Sequence, residues 1–535
     1  MSDQQAEKLT ADVLIVGGGM AACWAATSAA RTGARVLLVD KGFVGTSGVT
    51  ATGGPNHWWV PPDPARRAQA IDDRLARAFD LADRDWMARI IDETWRALPE
   101  LAGYYPFDAD GRGGTFYSGV RGPEYMRALR RLAVDRGVTI LDHHPALELL
   151  VNDEGAVIGA SGHARLQDRS WSAYAPSVIL ATGGCAFRSG LIGSHGNTGD
   201  GLLMAAEVGA TLSGMEFSAS YSLSPAWNST RTLPYFAARF FDQDGRELDV
   251  PPPMGGEGAH LKALAKAMID GPVQADLSDA PALLKQLLRR IQPASMPPFE
   301  RRGIDLFENR FPIRLYGEGT VRGTGGLQII NDDCRTSVEG LYAVGDTATR
   351  ELVAGATSGG GAQNAAWALT SGRIAGQAAA RAALQGKSRA TPHGRPTGGA
   401  GLRPVAHVRS IDLSPVIPAV QASTIDFDGA LWRSEAKLSS AQAVLDTLWK
   451  DIADHAHATG IARITMREKA AMVAAARWVG ASALTRAESR GMHMRVDRPE
   501  LDHRLGGRVL AGGLDRVWTR LESPAIPAPV TEAIT

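Results

Sequence analysis

Gly17, Gly18 and Gly19 stand between an apolar run, Val13 to Val16, and a small-residue segment, Met20 to Thr32; Asp40 and Lys41 follow a second apolar run, Val36 to Val39. The order reads as strand, glycine turn, helix, strand. Glycines there let backbone N–H groups approach a pyrophosphate. The helix opening at Met20 and Ala21 turns its partial positive charge toward phosphates, and Ala22 is small enough to lie close on a sheet. A carboxylate at position 40 accepts hydrogen bonds from ribose hydroxyls and repels a 2′-phosphate. The chemistry is dinucleotide binding.

Four further stretches extend it. The run from Gly42 to Trp59 (GFVGTSGVTATGGPNHWW) is too rich in Gly, Ser and Thr for a helix or regular strand. Through Thr46, Ser47, Thr52, Gly53 and Gly54 it can wrap donors around a flat polar ring. Leu147 to Val151, Asn152 to Gly155 and Ala156 to Ala160 read as a β-hairpin, with Ala146 at its entrance. The run Ser177 to Gly184 is a buried strand ending in Ala181, Thr182 and Gly183, and Gly340 to Asp346 is a strand whose Gly345 and Asp346 can reach a polyol. Open α/β sheets bind ligands at the carboxyl ends of their strands, so three glycine-bearing strand ends describe one long ligand. FAD fits better than NAD, because its ribityl hydroxyls give Asp346 a partner. Each later stretch alone is also compatible with an ordinary buried strand and turn.

The elements that position these groups need a long chain. At 535 residues the sequence predicts several units. Lys+Arg and Asp+Glu both number 57, so no net charge draws it to nucleic acid. Cys23, Cys185 and Cys334 are far apart and form no CxxC pair, which argues against a metal centre or a disulfide framework. The polar start MSDQQAEKLT and the absence of a long apolar run predict no membrane span and a cytoplasmic protein.

The sequence resembles the flavoprotein subunits of succinate dehydrogenase and fumarate reductase, with their relatives L-aspartate oxidase and the adenylylsulfate reductase α subunit. The resemblance rests on Gly17–Ala22, Ser47–Gly54, Ala181–Gly184, Asn197-Thr-Gly-Asp-Gly201, Met215-Glu-Phe217, Thr324-Gly-Gly-Leu327, Gly340–Asp346 and Arg486-Ala-Glu-Ser-Arg-Gly-Met-His-Met-Arg495. It implies an α/β fold: a Rossmann-like, glutathione-reductase-like FAD-binding domain with an inserted α+β capping domain and a C-terminal helical domain. The implied boundaries are 1–220 and 321–385 for the two parts of the FAD-binding domain, 221–320 for the cap, 386–412 for a Gly/Pro-rich linker and 413–535 for the helical domain, with a loose tail from Pro524. Asn197, Asp200, Gly361 and Ala362 join the cofactor set on the same resemblance. Covalent-flavin members carry a histidine where this chain has Ser47, so the FAD is expected to be non-covalent.

On the substrate side the chain departs from the family pattern. Tyr221 stands where dicarboxylate-acting relatives have a histidine after the Met-Glu-Phe segment. Val321 stands at a second histidine position, with Arg322 adjacent, and the substrate-binding arginine maps to Gly359. The groups that grip succinate or fumarate are missing together. The expectation is an FAD-dependent oxidoreductase transferring a hydride between flavin N5 and a small, anionic organic substrate, with electrons passing onward to an electron-transfer protein, a quinone or O₂. The alternatives are an adenylylsulfate-reductase-like electron-transfer subunit and an O₂-using oxidase. Arg322 offers bidentate donors to an anion, or serves as an ordinary structural arginine. His57 lines the cavity above the ring, or is a packed core histidine beside Trp58 and Trp59. Tyr221 is a proton donor or a space-filler. Arg490, with His493 and Arg495, approaches the active site or ties the helical domain down by ion pairs.

Overall fold

A computed structural model describes residues 7–111, 113–229, 233–253, 257–358, 360–386 and 393–523. Gly359, positions 387–392 of the linker and the tail from Pro524 lie outside the described residues. The central sheet is parallel and five-stranded. Its strands are β1 (Val13–Val16), β2 (Val36–Val39), β3 (Thr139–Leu141), β4 (Ser177–Leu180) and β5 (Leu341–Ala343), in the order β5-β4-β1-β2-β3. β1, β2 and β4 are buried along their whole length, which is why they read as continuous apolar runs and not as alternating ones.

Helix α1 (Met20–Ala30) packs against α2 (Gly360–Gln385) with almost no side chain between them. Gly372 and Gly376, one turn apart and so on one face, make this possible. A Cβ on Gly372 would lie 2.5 Å from the Ala21 carbonyl oxygen, and one on Gly376 2.3 Å from that of Ala25. A Cβ on Gly345, at a φ of +60°, would lie 2.8 Å from that of Ala21. The glycines thus bring the β5 terminus, α1 and α2 together at one edge.

The predicted hairpin is present as Ala146–Val151 paired antiparallel with Val157–Ala164, its turn closed by Asn152, whose Oδ1 accepts from the Ala156 amide at 2.8 Å. The irregular stretch after Lys41 contains one 3-10 turn, Val49–Thr52. A second hydrophobic core lies in the 219–315 segment, around an antiparallel sheet of Tyr221–Pro225, Phe311–Gly317, Val273–Asp276 and Arg239–Phe241. Ala430, Leu431 and Met494 from the C-terminal region join it.

The C-terminal region is built on two paired helices, α3 (Glu435–His455) and α4 (Ala462–Thr485). This is the helical domain expected from sequence, and it also carries two strands that were not expected. Val509–Gly512 pairs with Trp518–Leu521 and with Leu212–Ser213, extending a sheet that also holds Gly326–Leu327. The four residues of Val509–Gly512 are all buried, so a strand satisfies their backbone where a surface loop would not.

Candidate active site

One cavity of about 1240 Å³ runs along the carboxyl ends of β1, β2, β4 and β5. Of the cofactor residues expected from sequence, Gly17, Gly18, Gly19, Met20, Ala21, Asp40, Lys41, Thr46, Ser47, Gly53, Gly54, Ala146, Ala181, Thr182, Gly183, Asn197, Asp200, Gly345, Asp346 and Gly361 all line it. Thr52 and Ala362 do not. The Thr52 hydroxyl turns back to the Val49 carbonyl at 3.2 Å, and the Ala362 carbonyl accepts from the Trp58 amide at 3.1 Å.

The wall of the cavity fits FAD. Gly17, at a φ of +115°, presses on Ala181 so tightly that a Cβ would meet its carbonyl oxygen at 2.3 Å, whereas a Cβ on Gly19 or Gly361 would meet nothing within 4 Å. Backbone is therefore presented bare to the cavity at the helix N-terminus, as a pyrophosphate requires. Asp40 is buried and accepts from the Ser47 hydroxyl and, at 3.1 Å, from the Gly42 amide. Burial pushes its carboxyl above the usual range, against the pull of those two donors. Asn364 lines the cavity with a buried Oδ1 that has no hydrogen-bond partner, an acceptor suited to a ring N–H.

One end of the cavity is ionic. Lys41 Nζ donates to Asp200 at 2.6 Å, Thr198 at 2.9 Å and Glu468 at 3.2 Å, and Arg188 reaches the other Glu468 oxygen at 2.6 Å. Burial works against the Lys41 charge, yet the two carboxylates hold its pKa above the ordinary value. Ile461, Ala462, Thr465 and Glu468, around the first turns of α4, line this end; sequence reasoning missed them because they sit far from any glycine motif.

The other end carries Arg322. Its side chain is 30% exposed, and its Nε lies 3.6 Å from Glu318, which is itself buried and accepts from Ser222. Behind it Arg350, fully buried, pairs with Asp346 and donates to the carbonyls of Val321, at 3.0 Å, and Gly323. Arg350 thereby fixes the 321–323 turn that presents Arg322. Leu233, Pro234, Phe236, Leu284, Leu287, Leu288 and Gln292 close this end from the 221–320 segment. Gln292 rests on Gly54, where a Cβ would coincide with its amide.

The remaining catalytic candidates do not line the cavity. His57 is buried, with Nε2 3.3 Å from the Tyr125 hydroxyl, which accepts from Trp24 Nε1 at 2.9 Å. Burial lowers its pKa to about 4, so it is a neutral core imidazole. The Tyr221 hydroxyl donates to the Ile425 carbonyl at 2.7 Å, and burial raises its pKa. Arg490 is buried, with Nε 2.7 Å from Glu488 and NH1 2.7 Å from the Phe79 carbonyl. It belongs to a network in which Arg486 bonds Glu216 at 2.7 Å and Glu488 at 3.0 Å. His493 accepts from Arg433 at 2.9 Å, which leaves its Nε2 as the donor to the Arg486 carbonyl at 3.0 Å. Arg495 is clamped by both Asp497 oxygens at 2.8 Å. Of the two readings of this motif, its contacts are those of the tie: buried guanidiniums need partners, and each finds a carboxylate or carbonyl.

Comparison with known proteins agrees with this architecture. Residues 12–363 match the family described as FAD binding domain, and residues 423–511 match that described as fumarate reductase flavoprotein C-term. L-aspartate oxidase of Mycobacterium leprae is 28% identical over 92% of this chain and 93% of its own length. Among solved structures, E. coli quinol fumarate reductase superposes with a TM-score of 0.79 at 20% identity, covering 98% of both chains. Adenylylsulfate reductase from Archaeoglobus fulgidus superposes with a TM-score of 0.76 at 19% identity, again over 98% of both chains. The cofactor is FAD and the chain is an FAD-dependent oxidoreductase. It belongs to the succinate dehydrogenase and fumarate reductase flavoprotein family.

Proposed function

We propose that this oxidoreductase moves a hydride between the flavin and a small organic substrate whose anionic group is received by Arg322. The observation that carries the reading is the position of Arg322: partly exposed, lining the same cavity as the 221–320 segment, on a turn fixed by a buried arginine. Bound flavin supplies N5 as the site that accepts or donates the hydride. The chain's own residues bind and orient. Asp40 and the glycine turn would hold the nucleotide half, Asp346 would receive the ribityl chain, and Asn364 would accept from a ring N–H. Arg322 fixes the substrate by two parallel donors, so that the C–H bond to be broken faces the ring. In the oxidising direction the hydrogen of that bond would leave with the electron pair as hydride, and the proton lost from the neighbouring atom would pass to solvent once the cap reopens. The 221–320 segment, with its own core and one face on the cavity, acts as a cap that excludes water during transfer.

The test is anaerobic bleaching of the purified yellow protein by a panel of carboxylic, amino and sulfonic acids, each set beside its uncharged amide or ester, followed by air. Bleaching by an anionic donor supports the reading, and bleaching only by uncharged donors overturns it. Rapid return of colour selects O₂ as acceptor; slow return leaves a quinone or an electron-transfer protein. Arg322→Met should raise the KM of the bleaching acid about tenfold to a hundredfold, the worth of a charge-assisted hydrogen bond. An unchanged KM removes Arg322 from the site.

A further inference from the structure

The cap's contribution to the cavity is almost entirely hydrocarbon. Leu284, Leu287 and Leu288 sit at i, i+3 and i+4 on the helix Ala282–Ile291, which places them on one face, and that face meets the cavity together with Leu233, Pro234 and Phe236. Leu233 and Leu288 anchor the wall in the second core, while Phe236 and Leu287 remain 69% and 38% exposed. Gln292 is the polar residue the cap adds. Of the arginines and lysines lining the cavity among the described residues, Lys41 and Arg188 belong to the ionic end with Glu468, Arg165 follows the hairpin, and Arg322 stands on the 321–323 turn in front of Arg350, whose charge is taken by Asp346. A dicarboxylate bound here would bring a second charge against leucine side chains, and an unpaired buried carboxylate is costly.

We infer that the substrate is a monocarboxylate with an extended apolar body: the carboxylate pairs with Arg322 and the hydrocarbon lies along the leucine face of the cap. This rests on the proposed role of Arg322 and adds the class of molecule that reaches it. It also accounts for the amphipathic cap helix keeping leucines where a solvated face would carry charge. Burying each further methylene against the wall tightens binding about fourfold.

The probe is the series of saturated straight-chain carboxylates from acetate to octanoate, titrated into the oxidised, FAD-loaded protein. The readout is perturbation of the flavin absorbance, which reports binding without turnover. Kd should fall about fourfold per methylene over several members, and succinate should bind more weakly than butyrate. Leu287→Ser, with flavin content unchanged, should flatten the slope without abolishing acetate binding. A Kd independent of chain length, or succinate tighter than every monocarboxylate, overturns the inference. Failure of the flavin to be bleached by any anionic donor strikes the hydride-transfer reading instead and leaves the binding series intact, so the two are separately refutable.

Discussion

Replacing His57 with glutamine separates a structural from a chemical histidine. The imidazole, ordinarily near pH 6.5, is pushed down to about 4 by burial. Between those values the unfolded chain binds a proton that the folded chain refuses, so stability is retained above pH 6.5 and lost as the pH falls toward 4. At 1.36 kcal/mol per unit, the full window is worth about 3 kcal/mol, of which about 2 kcal/mol is lost between pH 7 and pH 5. Against a net stability on the order of 5–15 kcal/mol, that is a visible fraction. Glutamine keeps a polar partner for Tyr125 and does not titrate. Urea unfolding of both FAD-loaded proteins at pH 7 and pH 5 should show the parent losing about 2 kcal/mol more than His57→Gln, other histidines cancelling in the difference. Because His57 does not line the cavity, the rate of flavin reduction should be equal in the two proteins. Equal acid losses would refute the neutral buried imidazole, and a slower reduction in a normally folded variant would return His57 to the chemistry.

Three further outcomes are expected. Glu207→Gln breaks the pair with Arg467, whose guanidinium donates at 2.8 and 2.6 Å to a carboxylate that is, like it, almost wholly buried. It should destabilise by about 3 kcal/mol in thermal unfolding; a loss below about 1 kcal/mol would show the arginine satisfied by its carbonyl partners alone. Gly372→Val forces a side chain onto the Ala21 carbonyl and should lower the ratio of flavin to protein absorbance in the purified protein, whereas Gly103→Ala, where a Cβ meets nothing within 4 Å, should leave that ratio unchanged. Asp40→Ala removes the carboxylate from the ribose end and should weaken FAD binding tenfold or more in a fluorescence titration; unchanged affinity would move ribose recognition elsewhere.

The cofactor half of the cavity was legible because its signals are local. A glycine turn between an apolar strand and a small-residue helix admits few geometries, and Asp40, Ala181 and Asp346 follow from being strand ends in one parallel sheet. The cap wall was not legible, since Leu284, Leu287 and Leu288 at helical spacing read as ordinary core. The direction of Arg490, His493 and Arg495 was not legible, because it depends in part on partners remote in sequence: Arg490 meets the Phe79 carbonyl across 411 positions, and the adjoining Arg486 meets Glu216 across 270. The strand Val509–Gly512 was hidden by its shortness and by the helices before it.

The first turns of α4 have a consequence for how the protein is born. Residues 461–468 complete the wall around the nucleotide, and Val509–Gly512 locks the far end of the molecule onto Leu212–Ser213. A nascent polypeptide emerging from the ribosome has its three strand-end glycine turns by residue 346 yet lacks that wall. Flavin retention is therefore expected to await the C-terminal helices: a chain truncated before residue 461 should carry all three strand-end turns and yet lose its FAD on gel filtration, and a truncated chain that stays yellow would refute this.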